Sequence, residues 1–352
     1  MGKILKAAII IFITIITVII FISFIFEKYY SSDQVKYGVT FSPRYARFLK
    51  LDWQKVYLQI LDELKVKNLR LPSYWNSLEP EQDQYDFSET DFMLSEAEKR
   101  GANVILVLGA RQPRWPECQY PDWAKKVSLP KRRQKTMQFV QKVVERYQGN
   151  QAIGAWQIEN EPFAFWFGEG CDSPNSLFLK EEIGLVKRLD SRPVIITDSG
   201  EWGSWVSSFK LADVLGVSIY RRSFNSMVNM YTSYPFTPGM YSLKAYLVSN
   251  TSKGRESSGL SRKPTFEVAG RQQNKKIIIS ELQAEPWLAR RDKREDSYQF
   301  QAKLFTLADF KDNINFVRKT AFNEAYLWGV EWWYLMAQNG YPEYLNLAKQ
   351  LF

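Results

Sequence analysis

The sequence predicts an α/β chain: one (β/α)8 TIM barrel preceded by a single N-terminal transmembrane helix. Three observations predict it. After residue 36, β-branched apolar runs alternate with amphipathic stretches eight times, the rhythm of strand–helix units around a parallel sheet. The chain has 352 residues, and the roughly 320 left after the first segment suit one large barrel. Residues 7–26 carry no charge, and as a helix they would span about 30 Å.

The chain divides accordingly into a cytoplasmic N-terminus at 1–6, a membrane anchor at 7–26, a polar linker at 27–36 and the barrel at 37–352. Lys3 and Lys6 precede the apolar run, which orients it with the short N-terminus inside. The expectation is a single-pass protein of the cell membrane, its barrel extracytoplasmic and the lipid bilayer its partner. A cleaved signal peptide is the alternative, but its apolar region would be shorter and followed by small residues. Here Phe26-Glu27-Lys28-Tyr29-Tyr30 follows.

The barrel elements come in order. Tyr37-Gly38-Val39-Thr40-Phe41 is the first strand. Residues 52–67 form a helix with Val56, Ile60, Leu61 and Leu64 on one face,. The second strand is Asn68-Leu69-Arg70-Leu71. A helix from Ser88 stops at Gly101, and residues 103–109 are the third strand. A basic helix at 131–147 leads to the fourth strand, Ala152-Ile153-Gly154-Ala155-Trp156. Helix 181–189, strand 193–198, strand 214–220, strand 277–281, helix 298–310, strand 325–333 and a closing helix at 344–351 complete the set. A doubly wound open sheet is the alternative, and it would show a Gly-rich phosphate turn that is absent,. Residues 221–274 exceed an ordinary connection and read as an elaborated loop and helix over the mouth.

Two strands end in carboxylates. The fourth runs into Trp156-Gln157-Ile158-Glu159-Asn160-Glu161-Pro162, and the seventh is Ile277-Ile278-Ile279-Ser280-Glu281. Reacting groups in parallel barrels sit at the carboxyl ends of strands. Glu161 and Glu281 would therefore face each other across one mouth, and a carboxylate pair is the minimum equipment for cleaving a glycosidic bond. Arg70, ending the second strand, and Tyr220, ending the sixth, would hold the ionised member.

Composition narrows the chemistry. Histidine is absent, which excludes Ser-His-Asp and Cys-His catalysis and removes the commonest zinc ligand. No metal or organic cofactor is implied. The 12 Trp, 19 Tyr and 23 Phe fit either an aromatic core or a cleft lined with flat rings. A net charge of +9 reads as solvated helix faces, since no nucleic-acid motif accompanies it. Cys118 and Cys171 lie past neighbouring strand ends and form a candidate disulfide on the rim.

These motifs together resemble the clan A glycoside hydrolases over essentially everything after residue 36. The resemblance implies that Glu161 in Asn-Glu-Pro is the acid/base, Glu281 in Ile-Ser-Glu-Leu the nucleophile, and Asn160 a contact to the sugar 2-hydroxyl. It assigns Arg70 and Tyr220 to the surroundings of the nucleophile. It gives Trp332 or Trp333 as the ring flooring the sugar, and it aligns Tyr74-Trp75-Asn76 with a substrate-facing loop. The chain departs from family 5 cellulases, which carry His where Gly109 and Ser218 stand. The implied activity is retaining cleavage of an oligo- or polysaccharide. The alternatives are a transglycosidase remodelling a surface polysaccharide and a glycan-binding barrel without catalysis. Glu159 and Glu285 are rival carboxylates, and Glu331 either contacts sugar hydroxyls or pairs with an Arg.

Overall fold

The computed structural model describes residues 2–30, 34–225, 228–251, 275–289 and 293–352. Ten strands occur among them: β1 (Lys36–Thr40), β2 (Asn68–Pro72), β3 (Asn103–Leu108), β4 (Ile153–Ile158), β5 (Val194–Ser199), β6 (Val214–Ile219), β7 (Arg222–Asn225), β8 (Met230–Ser233), β9 (Lys276–Gln283) and β10 (Glu324–Trp328). Eight close a barrel in the order β1-β10-β9-β6-β5-β4-β3-β2. Neighbours run parallel, and β1 pairs with both β10 and β2. The remaining two, β7 and β8, form an antiparallel hairpin after β6.

The strands read as continuous apolar runs because both faces are buried. One face packs on the outer helices. The other fills the barrel with Ile105, Ala155, Ile195, Ile278 and Tyr326, so the interior is a core and not a pore. The helix Leu129–Tyr147 buries Phe139, Val140, Val143 and Val144 and turns its basic residues outward. The helix begun by Asp52, whose side chain accepts from Lys55 N at 3.2 Å, ends at Asp62, earlier than its apolar pattern indicates. Lys65 just beyond takes φ 58°, which no helix interior accommodates.

The N-terminal expectation is corrected. Among the described residues, no helix is long and apolar enough to cross a membrane. The transmembrane segment at 7–26, the lipid-bilayer partner and the single-pass location therefore fall. A helix does form, Gly2–Tyr30, but its last third is docked on protein. Ser23 is buried there, its hydroxyl 2.9 Å from that of Thr237. Gly239 lets the backbones meet: a Cβ on it would lie 1.7 Å from the Ser23 carbonyl oxygen. Phe26 meets Tyr246 edge-on at 5.6 Å, and Glu27 pairs with Lys319 at 3.1 Å. An uncharged run gives length and polarity only, and it does not say which of its faces is committed to a neighbouring helix.

Within 221–274, the structure gives the hairpin and the helix Pro238–Thr251. Most of the polar stretch 250–263 lies outside the described residues.

Candidate active site

Past β4 the chain bends sharply, with Glu159 at φ 56° and Glu161 at φ 44°. Left-handed backbone at non-glycine residues is costly and gathers at functional sites. The bend separates two carboxylates that strand alternation would aim together. Glu159 turns back onto the exit of β3, accepting from Ala110 N at 2.9 Å and Arg111 N at 2.5 Å. Gly109 makes room for it, since a Cβ there would lie 2.2 Å from Glu159 Oε1. Burial, and next the charge of Glu159, push the neighbouring Glu182 carboxyl well above its ordinary range. Glu159 is structural, and it leaves the mouth to Glu161.

Glu161 is anchored through its backbone, N–H to Thr197 Oγ1 at 2.8 Å, and its Oε1 accepts from Ser218 Oγ at 2.5 Å. Burial, followed by the charge of Glu281, holds its carboxyl well above the ordinary range. These two causes disfavour the ionised form.

Glu281 sits on β9 level with Ser218 on β6. The same serine thus touches Glu161 and stands in register with Glu281. Glu281 Oε1 accepts from Arg70 Nη1 at 2.8 Å, and Oε2 from Tyr220 Oη at 2.9 Å. Glu161 and Glu281 are each 5% exposed.

Arg70 is the hub. Fully buried, it donates Nε to Gln157 at 2.7 Å, Nη1 to Glu281 and Nη2 to Asn160 Oδ1 at 2.7 Å. A buried guanidinium tolerates this position only because each edge finds an acceptor. Asn160 then spends its amide on a residue that sequence reasoning missed: Nδ2 donates to Glu117 Oε2 at 2.9 Å. Glu117 is a third buried carboxylate, pushed up to about 7 by burial and next by the charge of Glu281. It follows Pro116 at φ 73°. Its one sequence signal is adjacency to Cys118, which is joined to Cys171 by a disulfide. That bond ties the loop after β3 to the loop after β4 and holds Glu117 against Asn160.

Three predicted sugar contacts are corrected. Trp75 is fully buried, stacked on Phe139 at 5.3 Å with Nε1 bonded to Glu79 at 2.7 Å. Trp332 and Trp333 lie on the helix Val330–Gln338, not on the last strand. Trp332 donates to Gln301 Oε1 at 2.7 Å and Trp333 to the Ala284 carbonyl at 2.8 Å, both buried. The strand stops at Trp328 because Gly329 adopts φ 127° against the Glu285 side chain. Trp328 is the ring that reaches the mouth. It lies edge-on to Tyr220 at 6.4 Å and flat against the Arg114 guanidinium at 4.1 Å.

Arg114 also pairs with Glu285, and with Glu331 at 2.9 Å. Both rival acids are thereby committed to one buried cation. Among the described residues, no group of acidic or sulfur side chains is arranged to hold a metal ion. A separate small cavity of about 70 Å³ lies beside Glu159, Arg111, Asp172 and Glu182, and touches neither Glu161 nor Glu281.

Comparison with known proteins adds to this geometry. A family model described as Beta-galactosidase matches residues 48–205. That span holds Arg70, Asn160 and Glu161 and stops before Tyr220 and Glu281. Beta-galactosidase BgaA of Clostridium cellulovorans is 28% identical over 174 residues, 44% of this chain and 26% of that protein. Beta-galactosidase LacZ of Lactobacillus acidophilus is 28% identical over 166 residues, 41% of this chain and 24% of that one. The chain spans about a quarter of the length of these curated relatives. Among solved structures, an exo-beta-1,4-mannosidase from an Opitutaceae bacterium superposes with a TM-score of 0.51 at 12% identity, over 84% of this chain and 51% of that one. GH5_18 from Streptomyces cattleya gives 0.51 at 13%, over 85% and 71%. At such identities the likeness is one of fold.

Proposed function

We propose that this chain, which is similar to beta-galactosidases over part of its length, is a clan A glycoside hydrolase that cleaves O-glycosidic bonds of an oligo- or polysaccharide by retaining double displacement, with Glu281 as nucleophile and Glu161 as acid/base. The observation that carries the reading is the opposite treatment of the two carboxyls. Glu281 is fixed by a buried guanidinium on one oxygen and a phenol on the other, the positioning that a nucleophile aimed at an anomeric carbon requires. Glu161 receives burial and a neighbouring negative charge, which favour a proton ready for the leaving oxygen.

The same electrostatics drives the second half of the reaction. Once Glu281 is esterified to the sugar its charge is gone. The repulsion that kept Glu161 protonated falls, and Glu161 serves as the base that activates water. Tyr220 and Arg70 position the nucleophile, Asn160 faces the sugar beside it, and Trp328 offers a ring at the mouth. The names of the relatives make β-galactosides the first substrates to try.

The test is a panel of nitrophenyl glycosides headed by the β-D-galactoside, with the anomer of the first product read by NMR. Retention is expected, and Glu281→Gln should lose at least about a thousandfold in kcat while its melting curve stays cooperative. Near-normal turnover by that variant, or an inverted first product, would overturn the assignment.

A further inference from the structure

All exposed tryptophans among the described residues occupy one face of the barrel. Trp115, Trp166, Trp202 and Trp287 are 63%, 45%, 62% and 43% exposed, and Phe165 beside Trp166 is 77% exposed. They lie on the loops that leave β3, β4, β5 and β9 at their carboxyl ends. In the closed order, β3 and β9 stand four strands apart in a ring of eight, so Trp115 and Trp287 flank opposite sides of the mouth. The other eight tryptophans of the chain are buried or half-buried.

Each exposed ring lies near the carboxyl cluster or its supports, along the chain or in space. Trp115 precedes Glu117 by two residues. Phe165 and Trp166 follow Glu161 through a turn closed by Ala164 N to the Glu161 carbonyl at 2.9 Å. Trp202 follows Glu201, whose side chain accepts from Tyr220 N at 2.9 Å. Trp287 lies edge-on to Tyr220 at 5.1 Å, and Tyr220 holds Glu281. Exposed aromatic surface is expensive to leave in water and marks a binding surface when it is grouped. These four loops expose flat rings with no large aliphatic side chain among them. That composition suits the apolar faces of pyranose rings better than a protein interface, whose centre would mix in aliphatic residues.

We propose that these rings form a track of outer subsites, running across the mouth from the β3 loop to the β9 loop, that binds an extended glycan chain on either side of the scissile bond. The natural substrate is then a polymer or long oligosaccharide cut within the chain, and not a disaccharide. This rests on the hydrolase reading above and extends it.

The experiment compares kcat/KM on β-linked galactan, xylan and mannan oligosaccharides of two to six units with that on the matching nitrophenyl monosaccharide. For at least one series, wild-type kcat/KM should climb with length by about tenfold or more. In the double variant Trp115→Ala/Trp202→Ala, the ratio of long-chain to nitrophenyl kcat/KM should fall by about tenfold, mostly through KM. Either ring is far enough out on its loop that the fold should survive. Affinity electrophoresis of Glu281→Gln through gels holding the same polysaccharides gives a second reading, independent of turnover, in which removing the two rings abolishes retardation. A wild-type enzyme whose rate ignores chain length in all three series, or a double variant that loses equally on short and long substrates, overturns the track while leaving the hydrolase assignment intact. Loss of the hydrolase assignment itself would show separately, as nitrophenyl glycoside cleavage surviving in Glu281→Gln.

Discussion

Replacing Glu117 by Gln should make the protein more stable at alkaline pH and leave it unchanged in acid. Glu117 is 8% exposed and titrates at about 7 in the fold against an ordinary 4.5. Burial is the first cause and the charge of Glu281 the second. A raised carboxyl carries its proton in the folded chain while the unfolded chain has lost it. Its contribution to stability is therefore complete below pH 4.5 and is lost as pH rises through 7. At 1.36 kcal/mol per pH unit the difference amounts to about 3 kcal/mol. Gln keeps an oxygen for Asn160 Nδ2 and carries no charge at any pH, so the variant should escape this loss. For a chain of this size, about 1–2 °C of melting temperature accompanies each kcal/mol. Wild type and variant should then melt together at pH 4.5 and differ by about 3–6 °C at pH 8, the variant higher. Thermal melts followed by circular dichroism at the two pH values decide it. A gap that is the same at both, or a variant that melts lower at pH 8, would refute the placing of a buried, repelled carboxyl at this position.

Two further outcomes follow from the same pocket. Arg70→Met should cost about 3–5 kcal/mol, because it strands Glu281 and Asn160 in a buried site without their shared donor, and denaturant titration would read this directly. Arg70→Lys should recover little of it, since one ammonium cannot serve the three acceptors that the guanidinium fork reaches. Ser218→Ala removes a donor that favours the ionised form of Glu161, so the alkaline limb of the kcat/KM profile should move to higher pH. An unmoved or acid-shifted limb would argue that Glu161 is not the group titrating there.

The parts of the site that could be read in advance are those that strands deliver. Glu161, Glu281, Arg70 and Tyr220 all stand where an apolar run stops, and a parallel barrel brings such stops to one rim whatever the intervening sequence. Glu117 stands on a loop, and its place depends on a bend past Pro116 and a disulfide to a loop 53 residues away. No local pattern encodes that juxtaposition. The last strand failed for a different reason. Tyr326-Leu327-Trp328-Gly329-Val330-Glu331-Trp332-Trp333 is apolar or aromatic but for Glu331, and periodicity cannot separate a buried strand from the buried helix that follows it. Gly329 was the available signal, since a glycine inside such a run often marks a break. Treating it as the strand end would have moved the predicted mouth ring from Trp332 or Trp333 to Trp328. The N-terminal run misled because hydropathy has no term for Ser23 and Gly239, the pair at which that helix meets the protein.

Three buried carboxyls, Glu117, Glu161 and Glu281, would ordinarily repel, and the way this fold contains them bears on its chemistry. Arg70 touches Glu281 directly and reaches Glu117 only through Asn160. The buried positive charge is spent on Glu281, while burial and the charge of Glu281 push the carboxyls of Glu161 and Glu117 up. In the proposed mechanism that leaves Glu161 holding the proton that the first displacement requires. Arg114 is committed elsewhere, paired with Glu285 and Glu331 and lying over the faces of Tyr45 and Trp328. In the proposed mechanism a positive charge placed within reach of Glu161 would favour its ionised form and leave it less able to protonate the leaving group.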